Sequence, residues 1–263
     1  MSAEPYDIAA LHTELAGSLH AGNVHYFAET DSTNSLAIAA AQAGAPTGSV
    51  FIADMQTAGR GRGAHQWHSP AGLGLYLSVL YRPQLAASRA LLLSLATGLA
   101  AQSAIRRSAG ITIDIRWPND LMIAEKKCGG ILVETSVEPS GQLRHAVIGI
   151  GINVRHTHLP EELATIATSL HLANGGDYDR QKLLVALLKS LDDEVRLLES
   201  AHSAEALLER FEAASTWVRG KRVRVEEAGG YTGITAGLSP QGFLLVQTDE
   251  GPRTVLSGGV RAL

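Results

Sequence analysis

The segment Gln56-Thr-Ala-Gly59-Arg60-Gly61-Arg62-Gly63-Ala64-His65-Gln66-Trp67-His68-Ser69-Pro70 constrains the fold most, because it suits neither a helix nor a strand. Closely spaced glycines weaken any regular element, and Ser69-Pro70 is turn chemistry. Apolar runs flank it, Val50-Phe-Ile-Ala53 before and Leu75-Tyr-Leu-Ser-Val-Leu-Tyr81 after, and both read as strands. A loop between two strands is therefore expected. Glycine lets a backbone take positive φ and approach a ligand closely, while the planar arginine fork matches carboxylate and phosphate. The segment reads as a flexible cationic loop that closes over an anion; a solvated glycine-rich turn is the plain alternative when it is taken alone.

Elsewhere strands and helices are grouped rather than strictly alternating. After a short helical lead-in, Asp31-Ser32-Thr33-Asn34 places small polar residues where an N-cap belongs, ahead of a helix over 35–43. A long helix is expected over 91–107, and strands over 111–116, 129–137 and 143–154. Residues 179–200 and 204–214 have amphipathic spacing, with Leu183, Leu184, Leu187, Leu188 and Leu191 on one stripe. From Trp217 onward the texture changes to β-like runs over 222–226, 231–235, 243–247 and 254–256, separated by glycine turns. The pattern predicts an α+β protein with two domains, 1–216 and a small all-β module over 217–263.

Composition excludes several functions. A net charge of −4 among 263 residues argues against a general nucleic-acid or anionic-membrane binder, so arginine must act locally. An RNA-binding module built on Gly-Arg repeats would need more than one repeat and more stacking platforms than 5% aromatic residues provide. The most apolar stretch, 90–105, is interrupted by Ser94, Thr97, Gly98 and Gln102 and is shorter than the ~20 residues a membrane span needs. No membrane role is expected. Glu4, Asp7 and Glu14 are unlike a secretory leader, and the single cysteine, Cys128, excludes an internal disulfide, so the expected compartment is the cytoplasm. Cys128 itself reads as a small buried apolar residue.

Two further clusters carry chemistry. Arg116-Trp117-Pro118-Asn119-Asp120 is a turn signal, followed by Lys127-Cys128-Gly129-Gly130, in which the glycines would let a ligand lie on the backbone within reach of the ammonium. A lysine on a solvated hairpin is the competing reading. In Gly149-Ile150-Gly151-Ile152-Asn153 the third glycine of a dinucleotide fingerprint is missing, so the glycines mark close backbone approach or a bulge. There is no Walker A sequence, since Gly220-Lys221 continues into Arg222. His156-Thr-His158 and His65-Gln-Trp-His68 lack companion ligands, so no metal site is expected.

Taken in order, Asp31–Asn34, Gln56–Arg62, Ser69-Pro70 with Gly74–Ser78, Trp117–Asp120, Lys127–Glu134 and Gly149–Asn153 resemble the biotin–protein ligases, over about residues 25–155. Residues 242–246 and 256–263 are similar to that family's C-terminal domain. The resemblance implies a mixed β-sheet catalytic domain of the biotin/lipoate ligase type followed by a small SH3-like β-barrel. It implies biotin, ATP and Mg²⁺ as reactants, a biotinyl-5′-adenylate intermediate and a biotin carboxyl carrier domain as acceptor. A homodimer is also implied as possible.

By the same resemblance, Lys127 and Arg62 are catalytic. Ser32, Thr33, Asn34 and Gln56 meet the ureido ring, and Arg60 and Arg62 meet the carboxylate and α-phosphate, with Gly61 letting the loop order. Trp67 covers adenine, Asn119 and Asp120 meet the nucleotide or its Mg²⁺, and Arg116, Gly130 and Asn153 complete the binding set. Gly63-Ala64-His65 stands where the family continues with basic residues, and Arg116 where it has lysine. The stretch before Asp31 is short for a winged helix-turn-helix, so operator binding is not expected. A lipoate ligase or octanoyltransferase is the related alternative, disfavoured by the Gly-Arg-Gly-Arg loop.

Overall fold

The computed structural model describes residues 6–63, 65–200, 203–227, 229–256 and 259–263, so Ala64 and Ser257-Gly258 lie outside the described residues. α1 (Ile8–Glu14) leads into β1 (Val24–Thr30), α2 (Thr33–Gln42), β2 (Val50–Gln56) and β3 (Gly74–Tyr81). Then come α3 (Ala90–Ala109), β4 (Asp114–Arg116), β5 (Asp120–Ile123), β6 (Lys126–Val137) and β7 (Leu143–Asn153). Helices α4 (Glu161–Ala164), α5 (Leu170–Asn174), α6 (Arg180–Leu198) and α7 (Ser203–Ala214) precede β8 (Arg219–Val225), β9 (Tyr231–Leu238), β10 (Leu244–Thr248), β11 (Gly251–Val255) and β12 (Val260–Ala262).

β1 to β7 form one mixed sheet in the order β1-β2-β3-β7-β6-β5-β4, in which only β1 and β2 run parallel. β3 and β7 lie at its centre and are buried almost throughout, which is why both read as continuous apolar runs. Their alternation sorts the two faces. Leu75, Leu77, Val79, Ile148, Ile150 and Ile152 enter the main core with α3 and α6, while Leu80 and Val147 pack with Ala37, Ala41 and Phe51 around α2. The α2 face is also where Ser78 of β3 pairs with Gly149 of β7, and Tyr76 with Gly151. Beyond the small cluster around α2, Ser78, Gly149 and Gly151 give that face a polar side chain and bare backbone.

β8 to β12 form a separate antiparallel sheet in the order β11-β10-β9-β8-β12, so the protein is α+β with a C-terminal β module, as expected. Four local expectations need correction. The strand expected over 111–116 is paired only over Asp114–Arg116, because its partner β5 is short; the Ile113 carbonyl accepts from Gln102 Nε2 instead, at 2.7 Å. β5 itself sits where only a turn was foreseen, and β12 returns beside β8 beyond the last foreseen strand. Finally, α2 begins at Thr33 with no side-chain cap from Ser32. The first helical N–H, that of Thr33, donates to Gln56 Oε1 at 2.9 Å, so the cap comes from the strand next door.

Candidate active site

A narrow groove opens on the α2 face, lined by polar side chains and by the backbone of β6 and β7. Its floor is made of strand backbone. A Cβ on Gly149 would lie 2.0 Å from Asn34 Oδ1, one on Gly151 2.4 Å from Trp67 Nε1, and one on Gly130 3.2 Å from Lys127 Cε. The first two are impossible contacts, so glycine is required there by close approach of side chains and not by backbone dihedral. Gly130 and Gly151 are paired in register, which makes the floor continuous across β6 and β7.

One end of the groove is a hydrogen-bonded chain. Ser78 Oγ lies 2.5 Å from Asn34 Oδ1 and 2.8 Å from Thr33 Oγ1, and Thr33 Oγ1 donates to Gln56 Oε1 at 3.1 Å. Gln56 Nε2 continues the chain to Ser69 Oγ at 2.9 Å. Asn34 Nδ2 donates to Glu134 Oε2 at 2.8 Å. Ser32, Thr33 and Asn34 are all nearly inaccessible, so the network holds their donors and acceptors in fixed directions at the groove wall.

The arginine loop folds over the groove as a narrow flap. Gln56 and Ser69 form a bridge at its base, Trp67 N–H donates to Gly59 O at 2.8 Å, and Gly61 N–H donates to His65 O at 2.8 Å. The expectation of positive φ holds only at Gly63, at 64°. Gly59 is needed for space, since a Cβ there would meet the Trp67 carbonyl at 2.5 Å. Arg60 pairs with Glu134, and Arg62 Nη1 reaches Asn119 Oδ1 at 3.3 Å. The Trp67 ring lies on the glycine floor 5.4 Å from Lys127 Nζ, with its buried indole N–H unpartnered among the described residues.

Lys127 reaches this face because of a β-bulge. Leu121 pairs with Gly129 but Met122 with Lys127, leaving Cys128 as the extra residue. In a regular strand Lys127 and Gly130 would point to opposite faces; the bulge puts both at the groove. Cys128 turns into the core, where burial pushes its thiol up to about 12, so it is no nucleophile. Lys127 Nζ sits 2.5 Å from Asp120 Oδ1, while Arg116 grips Asp120 Oδ2 through Nε at 3.0 Å and Nη2 at 2.6 Å. Burial alone would push the Asp120 carboxyl up, but Lys127 and Arg116 together hold it below the usual carboxylate range.

Of the residues expected at the site, Ser32, Thr33, Asn34, Gln56, Arg60, Gly61, Arg62, Trp67, Asn119, Lys127 and Gly130 all line the groove. Arg116 and Asp120 stand behind Lys127 and do not border it. Asn153 is turned away, with its amide donating to Thr168 O at 2.9 Å. Unforeseen are Ser78, which links Thr33 to Asn34, and Glu134, which holds both Asn34 and Arg60. Strand parity could have found both, since Ser78 is a polar residue in an apolar strand and Glu134 shares the face of Gly130.

Comparison with known proteins bears directly on this arrangement. Residues 26–153 match the biotin/lipoate A/B protein ligase family, and residues 219–260 match the biotin protein ligase C-terminal domain. The chain is 34% identical over 253 residues to the bifunctional ligase/repressor BirA of Bacillus subtilis, covering 95% of this chain and 76% of that protein. It is 35% identical over 260 residues to the biotin–[acetyl-CoA-carboxylase] ligase of Mycobacterium tuberculosis, covering 96% of this chain and 93% of that protein. The structure of a biotin protein ligase from Aquifex aeolicus in complex with biotin and ATP superposes with a TM-score of 0.79 at 32% identity, over 92% of this chain and 100% of that one.

Proposed function

The chain belongs to the biotin protein ligase family, and on that premise we propose that biotin is adenylated in the groove between Lys127 and the arginine flap. It is an enzyme that uses ATP to join biotin to protein. A carboxylate oxygen of biotin attacks the α-phosphorus of ATP, and pyrophosphate leaves. The amine of an acceptor lysine then attacks the acyl carbonyl, and AMP leaves.

Both steps build negative charge on phosphate or carbonyl oxygens and need fixed positive charge more than a covalent nucleophile. The observation that carries the reading is that Lys127 and Arg62 share one groove with the Ser32–Thr33–Asn34–Gln56 network, to which Arg60 is tied through Glu134. Cations sit where a carboxylate and phosphate would meet, and a dense set of donors and acceptors where a ureido ring would. Trp67 is assigned to the adenine. Among the described residues no cluster of three or more His, Cys, Asp or Glu could cage a metal, and both Asp120 oxygens are taken by cations. Magnesium is accordingly assigned to the substrate Mg·ATP, ligated by phosphate and water.

The acceptor is proposed to be a biotin carboxyl carrier domain, and the domain boundary is placed at Trp217, where the second sheet is approached. No described helix is long and apolar enough to cross a membrane; the buried, unreactive Cys128 suits the cytoplasm. β1 ends the main sheet and, among the described residues, pairs with a strand on one side only, which supports a homodimer testable by sedimentation. Calorimetry tests the ligand: biotin should bind, and more tightly with a non-hydrolysable ATP analogue present. Preference for lipoate or octanoate over biotin would overturn the assignment.

Arg62→Gly removes a guanidinium and its bond to Asn119, so the flap should hold the intermediate less well. The expected result is release of biotinyl-adenylate about tenfold faster, with indiscriminate labelling of bystander lysines. Rapid filtration of enzyme loaded with radiolabelled adenylate measures it; an unchanged release rate would contradict the role.

A further inference from the structure

Lys127 is placed by Asp120, and Asp120 by Arg116, so whatever fixes Arg116 bears on the adenylation centre. Arg116 ends β4, the outermost strand of the main sheet and one of only three residues. The junction leading into the second sheet pins this strand. Ser215 Oγ donates to Ile115 O at 2.5 Å, and Thr216 donates to the Asp114 carboxylate from N at 3.0 Å and from Oγ1 at 2.5 Å. Trp217 follows, 4% exposed, with Arg116 Cζ 5.4 Å from its ring centroid and Lys221 Nζ 4.9 Å from it. Lys221 in turn reaches Glu125 at 3.3 Å, and the Gly242 carbonyl accepts from Trp117 Nε1 at 2.9 Å. None of these second-sheet residues borders the groove.

We propose that Trp217 is a positioning residue for adenylate formation: its aromatic face holds the Arg116 guanidinium so that Asp120 keeps one carboxylate oxygen aimed at Lys127. The proposal rests on the adenylation role of Lys127 given above. Arg116 spends its N–H edge on Asp120 Oδ2, and its planar face is the part left for an aromatic partner. A cation held over an indole and shielded from water resists swinging into solvent. Without the indole, Arg116 can leave Asp120, and the aspartate then no longer fixes the direction in which Lys127 presents its ammonium.

The test compares Trp217→Leu, which keeps apolar bulk, with Trp217→Phe, which keeps a π face, each alone and combined with Lys127→Ala. Trp217→Leu should slow adenylate formation about tenfold through kcat. Biotin affinity should not change, because the Ser32–Gln56 end of the groove is untouched. Trp217→Phe should recover most of the rate, and in the Lys127→Ala background Trp217→Leu should cost nothing more. Trp217→Met serves in place of Trp217→Leu should the latter not yield folded protein, as checked by circular dichroism. An unchanged rate in Trp217→Leu, equal losses in Leu and Phe, or the same fold-loss without Lys127 would overturn the relay. If Lys127→Ala alone adenylates normally, the Lys127 reading fails instead, whatever Trp217 does.

Discussion

Lys127→Ala should lower the rate of biotinyl-adenylate formation by about 10²- to 10³-fold, the range found when one fixed stabiliser of developing charge is removed. The ammonium stands over the glycine floor, fixed by Asp120 Oδ1 at 2.5 Å and flanked by the Trp67 ring. Its loss removes positive charge from the reacting phosphate. The fold should survive, because Arg116 still neutralises Asp120 through two hydrogen bonds. Transfer from synthetic biotinyl-adenylate to a carrier lysine should fall far less, since the acyl group is then already activated. Single-turnover pyrophosphate release measures the first step and carrier labelling from added adenylate the second. Equal losses in both would contradict an adenylation role.

Gly149→Ala should abolish detectable biotin binding, a larger effect than any substitution in the flap. The new methyl would lie 2.0 Å from Asn34 Oδ1 and 2.8 Å from Asn34 Cγ, so Asn34 must move. Its movement breaks the contacts to Ser78 and Glu134 and opens the network through Thr33 to Gln56. Overpacking of this kind costs about 1–3 kcal/mol of stability, which a protein of this size should tolerate. Gly130→Ala is the internal control. The atoms nearest its methyl are side-chain atoms of Lys127 and Trp67 at 3.2–3.4 Å, which can give way, so biotin should still bind. Calorimetry on both variants decides; ordinary biotin affinity in Gly149→Ala would contradict the assigned wall.

Much of this was legible in the residues. The glycine-rich loop, the two central strands and the Lys127-Cys128-Gly129-Gly130 run each carry a local signature, and Gly149-Ile150-Gly151 rightly signals close backbone approach. What escaped depends on contacts between distant parts of the chain. The direction of Lys127 depends on a bulge that flips strand parity at Cys128, and no local pattern announces it. The cap of α2 comes from Gln56 across the sheet, while Ser32, Thr33 and Asn34 of the Asp31–Asn34 signature line the groove. Arg116 was expected at the ligand, yet a tryptophan far along the chain and its neighbour Asp120 hold it behind the site. Glu134 ends the Lys127–Glu134 run, but its hold on Asn34 forms only when β6 and α2 meet.

On the function proposed above, this chain activates biotin with ATP and passes it to one lysine of a carrier domain. Mass spectrometry of a purified biotin carboxyl carrier domain, incubated with the protein, biotin and Mg·ATP, tests it most directly. A single biotinyl adduct on one lysine is expected, lost when ATP is omitted and strongly reduced with Lys127→Ala. No adduct at saturating biotin and Mg·ATP, or an adduct that forms equally well without ATP, would contradict it.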